Sequence, residues 1–219
     1  MLKDERKAHN GPFFPHASAN STLFASSSFG EVSRKRYFSV GFSLVELMVT
    51  MAVMAILLAA VAPSFSKMMA RNDLAVASNA VRGALMVARE TALIKGHPVS
   101  LCAGAPGTGC TGDWSAGQWL VFRDNNHNGA LDTDETVIQH DTLPGAGGVV
   151  SIDGNGPLRS ALVYTPLGHA ERVSGAFGAG RLRVCVDRDI TPNAREVIIG
   201  PSGRVRVQGV DFGGVCPSL

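Results

Sequence analysis

The first long apolar run of the chain predicts a membrane-spanning helix. From Phe42 to Ala62, 21 residues contain a single Glu and no Lys, Arg or Asp. A helix of this length is roughly 30 Å long, the thickness of a bilayer core. Pro63 follows directly and predicts a loosened or kinked helix at that point.

The pattern then changes to a helical repeat. Over residues 63–97, apolar positions recur at spacings of three, four and seven, which is typical of a helix with one buried stripe. Gly96 and Pro98 predict where this helix ends. The stripe consists of Leu74, Val81, Leu85, Ala88 and Ala92. We therefore expect one long helix with an apolar half, 42–62, and an amphipathic half, 63–97.

Residues 98–219 show short β-type runs separated by Gly, Pro, Asn and Asp. No second long helical pattern appears among them, so the sequence predicts an α+β protein with an antiparallel sheet. The predicted strands are PVSLCAG, QWLVFRD, ETVIQHD, GGVVSID, ALVYTP, RLRVCVD, REVIIG and RVRVQGV.

The charges around the apolar run predict its orientation. Arg34, Lys35 and Arg36 come just before it, which places the N-terminus in the cytoplasm and exports the remainder. A secretory signal peptide is one alternative, because residues 60–62 resemble a cleavage site. Pro63 would then follow the cut, where it is poorly tolerated. An ordinary membrane anchor is another alternative, but it leaves Glu46 unexplained, at a cost of about 2.5–3.5 kcal/mol.

The four cysteines all follow the apolar run. An even number in an exported domain favours two disulfides, and their spacing matches neither a zinc site nor a C-x-x-C redox site. Four cysteines allow three connectivities.

The stretch from Gly41 to Glu46, GFSLVE, resembles the class III signal of type IV pilins and type II secretion pseudopilins. The resemblance implies that a prepilin peptidase cuts after Gly41 and methylates the amine of Phe42. It also implies that residues 1–41 are a leader, unusually long for the family. Glu46 would face the free amine of a neighbouring subunit, so that assembly compensates its charge.

Further along, residues 100–135, from SLCAG to GQWLVFRDNNHNGALDTDE, and residues 185–207, from CVDRD to REVIIGPSGRVRV, resemble the FimT/GspH branch. This branch comprises minor type IV pilins and the H-type minor pseudopilin. The resemblance covers roughly residues 41–216. It implies the disulfides Cys102–Cys110 and Cys185–Cys216. It also implies an inner-membrane subunit whose globular part is periplasmic and whose partners are other pilins or pseudopilins, membrane lipid and prepilin peptidase.

Residues 124–135, DNNHNGALDTDE, match the spacing of an EF-hand calcium loop, with Gly129 at its sixth position. The oxygen ligands would be Asp124, Asn126, Asn128, Asp132 and Glu135. The flanking runs are predicted strands rather than helices, which favours a plain turn held by Asx side chains. Structural Ca²⁺ is the alternative, and no other cofactor is expected.

Arginines cluster near the C-terminus. Residues 159–206 contain eight arginines against four carboxylates, whereas the whole chain has a net charge of only +2. Arg204 and Arg206 project to one side of a predicted strand, and Arg181 and Arg183 repeat this spacing. Guanidinium pairs suit phosphate oxygens, and the G-R-x-R block at Gly203 resembles a motif associated with DNA capture in FimT-type pilins. Double-stranded DNA binding and a purely structural role both fit these residues.

Motifs of the common enzyme classes are absent from the sequence, so we expect no enzyme. We expect a minor pilin-like subunit that assembles into or primes a filament and binds DNA for natural transformation. The alternative is the H-type pseudopilin of a type II secretion system, without DNA binding. A free periplasmic domain on an ordinary anchor would instead show no processing at Gly41.

Overall fold

The computed structural model describes residues 41–143 and 150–219. Residues 1–40 of the predicted leader, 1–41, lie outside the described residues, as does the first part of the predicted strand GGVVSID, residues 147–149. Residues 44–219 belong to one compact unit.

A single helix, α1, extends from Leu44 to Lys95 and continues through Pro63. It contains an 18-residue window of mean hydropathy 2.5 with no buried residue, so it is long and apolar enough to cross a membrane. Its end matches the sequence signal: Gly96 has φ +68°, and its N–H donates to the carbonyl of Ala92 at 3.0 Å. Glycine adopts this left-handed conformation without the steric cost that a Cβ imposes.

The predicted antiparallel strands are present, and two further short ones, β2 and β7, accompany them. The described strands are β1 Val99–Ala105, β2 Gly109–Cys110, β3 Gln118–Arg123, β4 Val137–Thr142, β5 Val150–Gly154, β6 Leu162–Tyr164, β7 Ala170–Arg172, β8 Gly180–Val186, β9 Ala194–Ile199 and β10 Val205–Val210. Single 3₁₀ turns lie at Trp114–Ala116 and Gly156–Arg159.

The strands form two sheets. The larger has the order β4-β3-β1-β6-β7, with β2 paired to β1, and the smaller has the order β10-β9-β8-β5. Every strand pairing is antiparallel. The α+β prediction is therefore confirmed.

The amphipathic half of α1 supplies one wall of the main core. The predicted stripe is confirmed, because Leu74, Val81, Leu85, Ala88 and Ala92 are all at most 2% exposed. They pack with residues of both sheets, such as Leu101 and Val197, in one cluster. Burying a leucine of this kind contributes about 1.5–3 kcal/mol.

The larger sheet is also covered on its second face. Alternate residues of β1 and β3, Cys102, Leu120 and Phe122, form a separate buried cluster with Ala161. Leu131 from the loop between β3 and β4 packs against it. This loop is therefore a structural cover and not only a connection.

Candidate functional sites

The processing motif lies at the start of α1. Gly41 and Phe42 precede the helix, and Glu46 falls in its first turn. A carboxylate in the first helical turn interacts favourably with the helix dipole. Phe42 is 75% exposed, and no side-chain hydrogen bond or ion pair of Glu46 occurs among the described residues. Cleavage after Gly41 and the role of Glu46 remain predictions.

The turn between β9 and β10 carries the G-R-x-R block, and its glycine has a structural cause. Gly203 has φ +73°, and a Cβ there would lie 2.1 Å from the carbonyl oxygen of Gly168. The Arg89 side chain of α1 holds this turn and the turn that contains Gly168. Its Nε donates to the carbonyl of Gly168 at 3.0 Å, and its Nη2 donates to the carbonyl of Ser202 at 3.1 Å. The chain thus enters β10 in a fixed position.

Arg204 and Arg206 are both exposed. They line a shallow depression of about 200 Å³ with Ile198, Gly200 and Ser202. Within residues 41–143 and 150–219, neither guanidinium donates a side-chain hydrogen bond or joins an ion pair. Both positive charges are therefore free to meet an external anion.

The strand register extends this surface across the smaller sheet. Arg206 lies opposite Ile198, and Ile198 lies opposite Arg181, so the three side chains form a row on one face. A second depression of about 260 Å³ contains Arg181, Ile198 and Asn155. We call Arg204, Arg206 and Arg181 the β10 basic surface.

The prediction that Arg183 contacts DNA is corrected by the structure, because its guanidinium is enclosed. Its side chain is 10% exposed and that of Glu196 is 3% exposed, and Arg183 Nη2 lies 2.9 Å from Glu196 Oε1. Arg183 Nη1 donates to the carbonyl of Pro217 at 2.9 Å, and its guanidinium lies 4.4 Å from the ring centroid of Phe212. A guanidinium enclosed in this way has no free face for a phosphate.

Arg181 shares the same carboxylate from the exposed side. Its Nη1 lies 3.2 Å from Glu196 Oε2, and its side chain is 45% exposed. Burial raises the pKa of Glu196, but hydrogen bonds and charge from Arg183 and Arg181 outweigh it, so the pKa lies below its ordinary value. Glu196 therefore partly offsets the positive charge that Arg181 brings to the β10 basic surface.

The C-terminal residues form the cover over Arg183. Cys185 is bonded to Cys216 with a Cα–Cα distance of 5.8 Å, and Asn193 holds the same segment by accepting from the N–H of Phe212 at 2.7 Å. The other pair, Cys102 and Cys110, has a Cα–Cα distance of 5.5 Å. These are the pairs that the resemblance implies, and both distances are ordinary for disulfides.

The loop at 124–135 uses its own polar groups. Asp124 is fully buried, and its carboxylate accepts the Ser100 hydroxyl and the N–H groups of Asn128 and Gly129. The Asn126 and Asn128 side-chain amides both donate to Asp132, and the Glu135 carboxylate accepts the N–H groups of Asn125 and Asp132. In the part of the chain that the structure describes, no group of three or more His, Cys, Asp or Glu is arranged to hold a metal. The hydrogen bonds fit the Asx-turn interpretation, and calcium binding remains an untested prediction.

Sequence reasoning missed two residues that organise this region. Arg89 joins two turns that are 79 and 113 residues away in sequence, and the helical pattern gives no sign of this role. Glu196 is one of the four carboxylates within residues 159–206, and it neutralises Arg183. Only the register Arg183↔Glu196 between β8 and β9 would have indicated this pair.

Comparison with known proteins adds the family. The family described as type II transport protein GspH matches residues 77–203, and the prokaryotic N-terminal methylation motif matches residues 41–62. A search of curated proteins finds no match.

The solved structures that are similar to the chain include a minor pilin and a minor pseudopilin. The type IV minor pilin FimU of Pseudomonas aeruginosa (strain PAO1) has a TM-score of 0.46 and 16% identity, covering 63% of this chain and 90% of that one. The minor pseudopilin EpsH from the Type 2 Secretion System of Vibrio cholerae has a TM-score of 0.42 and 11% identity, covering 63% of this chain and 97% of that one.

The family of the chain is shown by its matches to these two sequence families. The methylation motif begins at Gly41 and includes Phe42 and Glu46, which implies processing by a prepilin peptidase and assembly with other pilins or pseudopilins. The GspH match covers more than half of the 219 residues. The chain therefore belongs to the GspH family of type IV pilin-like minor pilins and pseudopilins, which are structural subunits anchored by an apolar N-terminal helix.

Proposed function

We propose that the chain is a minor pilin that primes or joins a filament through its N-terminal helix. The residues of α1 before Ala70 are exposed along the whole helix surface, which suits lipid before assembly and neighbouring helices afterwards. Glu46 is the single acid in this apolar half. A carboxylate there is costly alone and is compensated by the amine of a partner's first residue. In this proposal the N-terminus is cytoplasmic and the globular part periplasmic.

The test of assembly compares Glu46→Ala with wild type in cells that make the filament. The variant should still be cleaved after Gly41 but should stay in the membrane fraction instead of the sheared filament fraction. Thr50→Ala is the matched control, because Thr50 also lies in the apolar half and bonds only to the carbonyl of Leu47. Normal incorporation of the Glu46 variant would refute the role of this carboxylate.

We further propose that the β10 basic surface binds double-stranded DNA. Its supporting observation is that Arg204 and Arg206 are exposed, adjacent and without an acidic partner among the described residues. Such contacts give binding that is independent of sequence and sensitive to salt. Arg181 has a secondary role, because it already forms an ion pair with Glu196.

DNA binding is tested with the full-length mature chain in detergent micelles and a fluorescent duplex, over a range of salt concentrations. Changing Arg204 and Arg206 to Gln should weaken binding and lower the slope of log affinity against log salt by about 2, one for each lost phosphate contact. The control is Lys95→Gln with Arg123→Gln, which removes the same charge at the end of α1. An unchanged slope in the Arg204 and Arg206 variant would refute the DNA site.

The second candidate function is that of an H-type pseudopilin in type II secretion. The description of the matching family as a type II transport protein favours it. In that role the β10 basic surface contacts another subunit and no DNA. Absence of DNA binding together with normal processing would select this candidate.

A further inference from the structure

A further depression on the globular part lies beside the last turn of α1, away from the β10 basic surface. Its volume is about 370 Å³. Its walls come from α1, from the end of β3 and from the start of β4. The lining residues are Thr91, Lys95, His97, Arg123, Thr136 and Ile138. We call it the α1–β4 pocket.

Positive charge in this pocket is uncompensated by the residues around it. Lys95 and Arg123 join no ion pair or side-chain hydrogen bond within the described parts of the chain. Asp124 and Glu135, which adjoin the lining residues Arg123 and Thr136 in sequence, have carboxylates that accept N–H groups of the β3–β4 loop. Glu90, which precedes Thr91, is not among the lining residues. The pocket is therefore suited to an oxyanion.

Neutral donors complete the lining. The hydroxyl groups of Thr91 and Thr136 belong to the pocket and can donate to an oxyanion. His97 also lines the pocket, and its Nδ1 lies 3.2 Å from the carbonyl oxygen of Pro98. One oxyanion can meet an ammonium, a guanidinium and hydroxyl donors there, which is the environment that a carboxylate prefers.

The strand beside the pocket indicates the shape of the ligand. β4 is an edge strand of the larger sheet, paired with β3 on one side only. Ile138 on this strand is 37% exposed and lines the pocket. An extended segment that adds to an exposed edge obtains main-chain hydrogen bonds, and its side chains alternate towards adjacent pockets.

The α1–β4 pocket is distinct from the β10 basic surface. Arg89 holds the β9–β10 turn, whereas Thr91 lines the pocket. Two residues apart on a helix, these side chains point roughly 160° from each other. The two positive regions therefore flank opposite sides of α1 and present separate sites.

We propose that the α1–β4 pocket binds a glutamate or aspartate side chain on an extended segment of a partner pilin-type subunit, which pairs with the edge of β4. Charge complementarity and the half-apolar lining favour a protein carboxylate over a nucleic acid. The phosphates of a nucleic acid would make no use of the exposed apolar side chain of Ile138. That the partner is a pilin-type subunit rests on the assembly proposed above. Binding of an acidic strand to the pocket does not depend on it.

The experiment uses the full-length chain in detergent micelles and a fluorescein-labelled six-residue peptide of alternating valine and glutamate. The valine–glutamine peptide is the ligand control. Anisotropy should show binding of the first peptide and none of the second. Lys95→Gln with Arg123→Gln should weaken binding about tenfold or more, while Arg204→Gln with Arg206→Gln should leave it unchanged.

A second variant separates the pocket from general electrostatics. Ile138→Asp places a negative charge on an exposed position of β4, so folding should be retained and the acidic peptide should be repelled. Tryptophan fluorescence checks the fold, since Trp114 and Trp119 are buried in the globular part. Retained peptide binding in this variant would overturn the proposal.

Other occupants give distinct results. Displacement of the peptide by duplex DNA or inorganic phosphate at equal concentration would assign the pocket to phosphate and overturn the carboxylate. The proposed partner is a pilin-type subunit other than this chain, so self-association that disappears in the Lys95 and Arg123 variant would assign the pocket to a second copy and overturn that partner. Absence of peptide binding would refute the pocket as a site. It would not affect the proposals of processing at Gly41 and DNA binding at Arg204, which are tested by separate experiments.

Discussion

Arg183 and Glu196 form a buried ion pair beneath the C-terminal segment, with 2.9 Å between Nη2 and Oε1. Phe212 covers the guanidinium, and the carbonyl of Pro217 accepts one of its N–H groups. The pair therefore joins β8, β9 and the C-terminal residues, and it removes one arginine from the surface available to anions.

Glu196→Ala should destabilise the chain by about 3–5 kcal/mol, because it leaves a buried guanidinium without its counter-charge. Thermal unfolding of the full-length chain in detergent, followed by tryptophan fluorescence, measures this. Arg181→Gln is the matched control, and since Arg181 is 45% exposed, its loss should cost 1 kcal/mol or less, about the value of a surface pair. Equal effects of both changes would contradict the buried pair.

The same carboxylate predicts a dependence of stability on pH. The folded-state pKa of Glu196 is lowered, so its contribution is complete above the unfolded-state pKa of about 4.3 and is lost as pH falls through the folded-state value. The difference in melting temperature between wild type and Glu196→Gln should therefore narrow as pH falls from 6 towards 3. A constant or widening difference would contradict the lowered pKa.

Gly203→Ala should destabilise the chain by about 1–3 kcal/mol, because φ +73° strains any side chain and the new Cβ would meet the Gly168 carbonyl. DNA binding should also weaken, since the turn positions Arg204. Gly200→Ala is the control on the same turn, because its Cβ would meet only the Arg204 carbonyl at 3.9 Å. A neutral Gly203→Ala would show that the turn is not constrained.

The two disulfides should contribute unequally. Replacing Cys185 and Cys216 by Ser opens a loop with a sequence separation of 31, whereas the separation is 8 for Cys102 and Cys110. Chain entropy predicts a cost larger by roughly 1 kcal/mol for the first pair. Melting temperatures of the two double variants, prepared in parallel, test this order, and a reversed order would contradict it.

Adding calcium should change the melting temperature by no more than about 1 °C. The carboxylate oxygens of the 124–135 loop already accept N–H groups of the same loop. A bound ion at 100 times its Kd would add about 2.7 kcal/mol, which corresponds to several degrees. Magnesium and a chelator serve as controls. A calcium-specific rise of several degrees that Asp132→Asn removes would establish a metal site.

Local pattern was sufficient for most of the fold. The stripe from Leu74 to Ala92 has helical spacing, and strands such as QWLVFRD are bounded by turn residues, so each element followed from nearby residues. The two-residue strand β2 and the short β7 carry too little pattern to be recognised. Pro63 predicted a loosened or kinked helix, and it lies inside a helix that continues from Leu44 to Lys95.

The candidate sites depended on distant pairing, and sequence reasoning was weaker there. The i, i+2 spacing of Arg181 and Arg183 indicated one exposed face, but the neighbour on β9 decides which side chain is free. That neighbour is Glu196, and the C-terminal segment then buries Arg183. The α1–β4 pocket was missed for the same reason, because Lys95 and Arg123 are brought together only by packing.

The most direct test of the account is the identity of the mature N-terminus. The full-length chain, expressed with and without a prepilin peptidase, would be analysed by intact mass and N-terminal peptide mass spectrometry. The account predicts a chain that begins at a methylated Phe42 only when the peptidase is present, and no such product from Gly41→Leu. An N-terminus at Pro63, or an uncut chain in the presence of an active peptidase, would contradict the assignment as a pilin-type subunit.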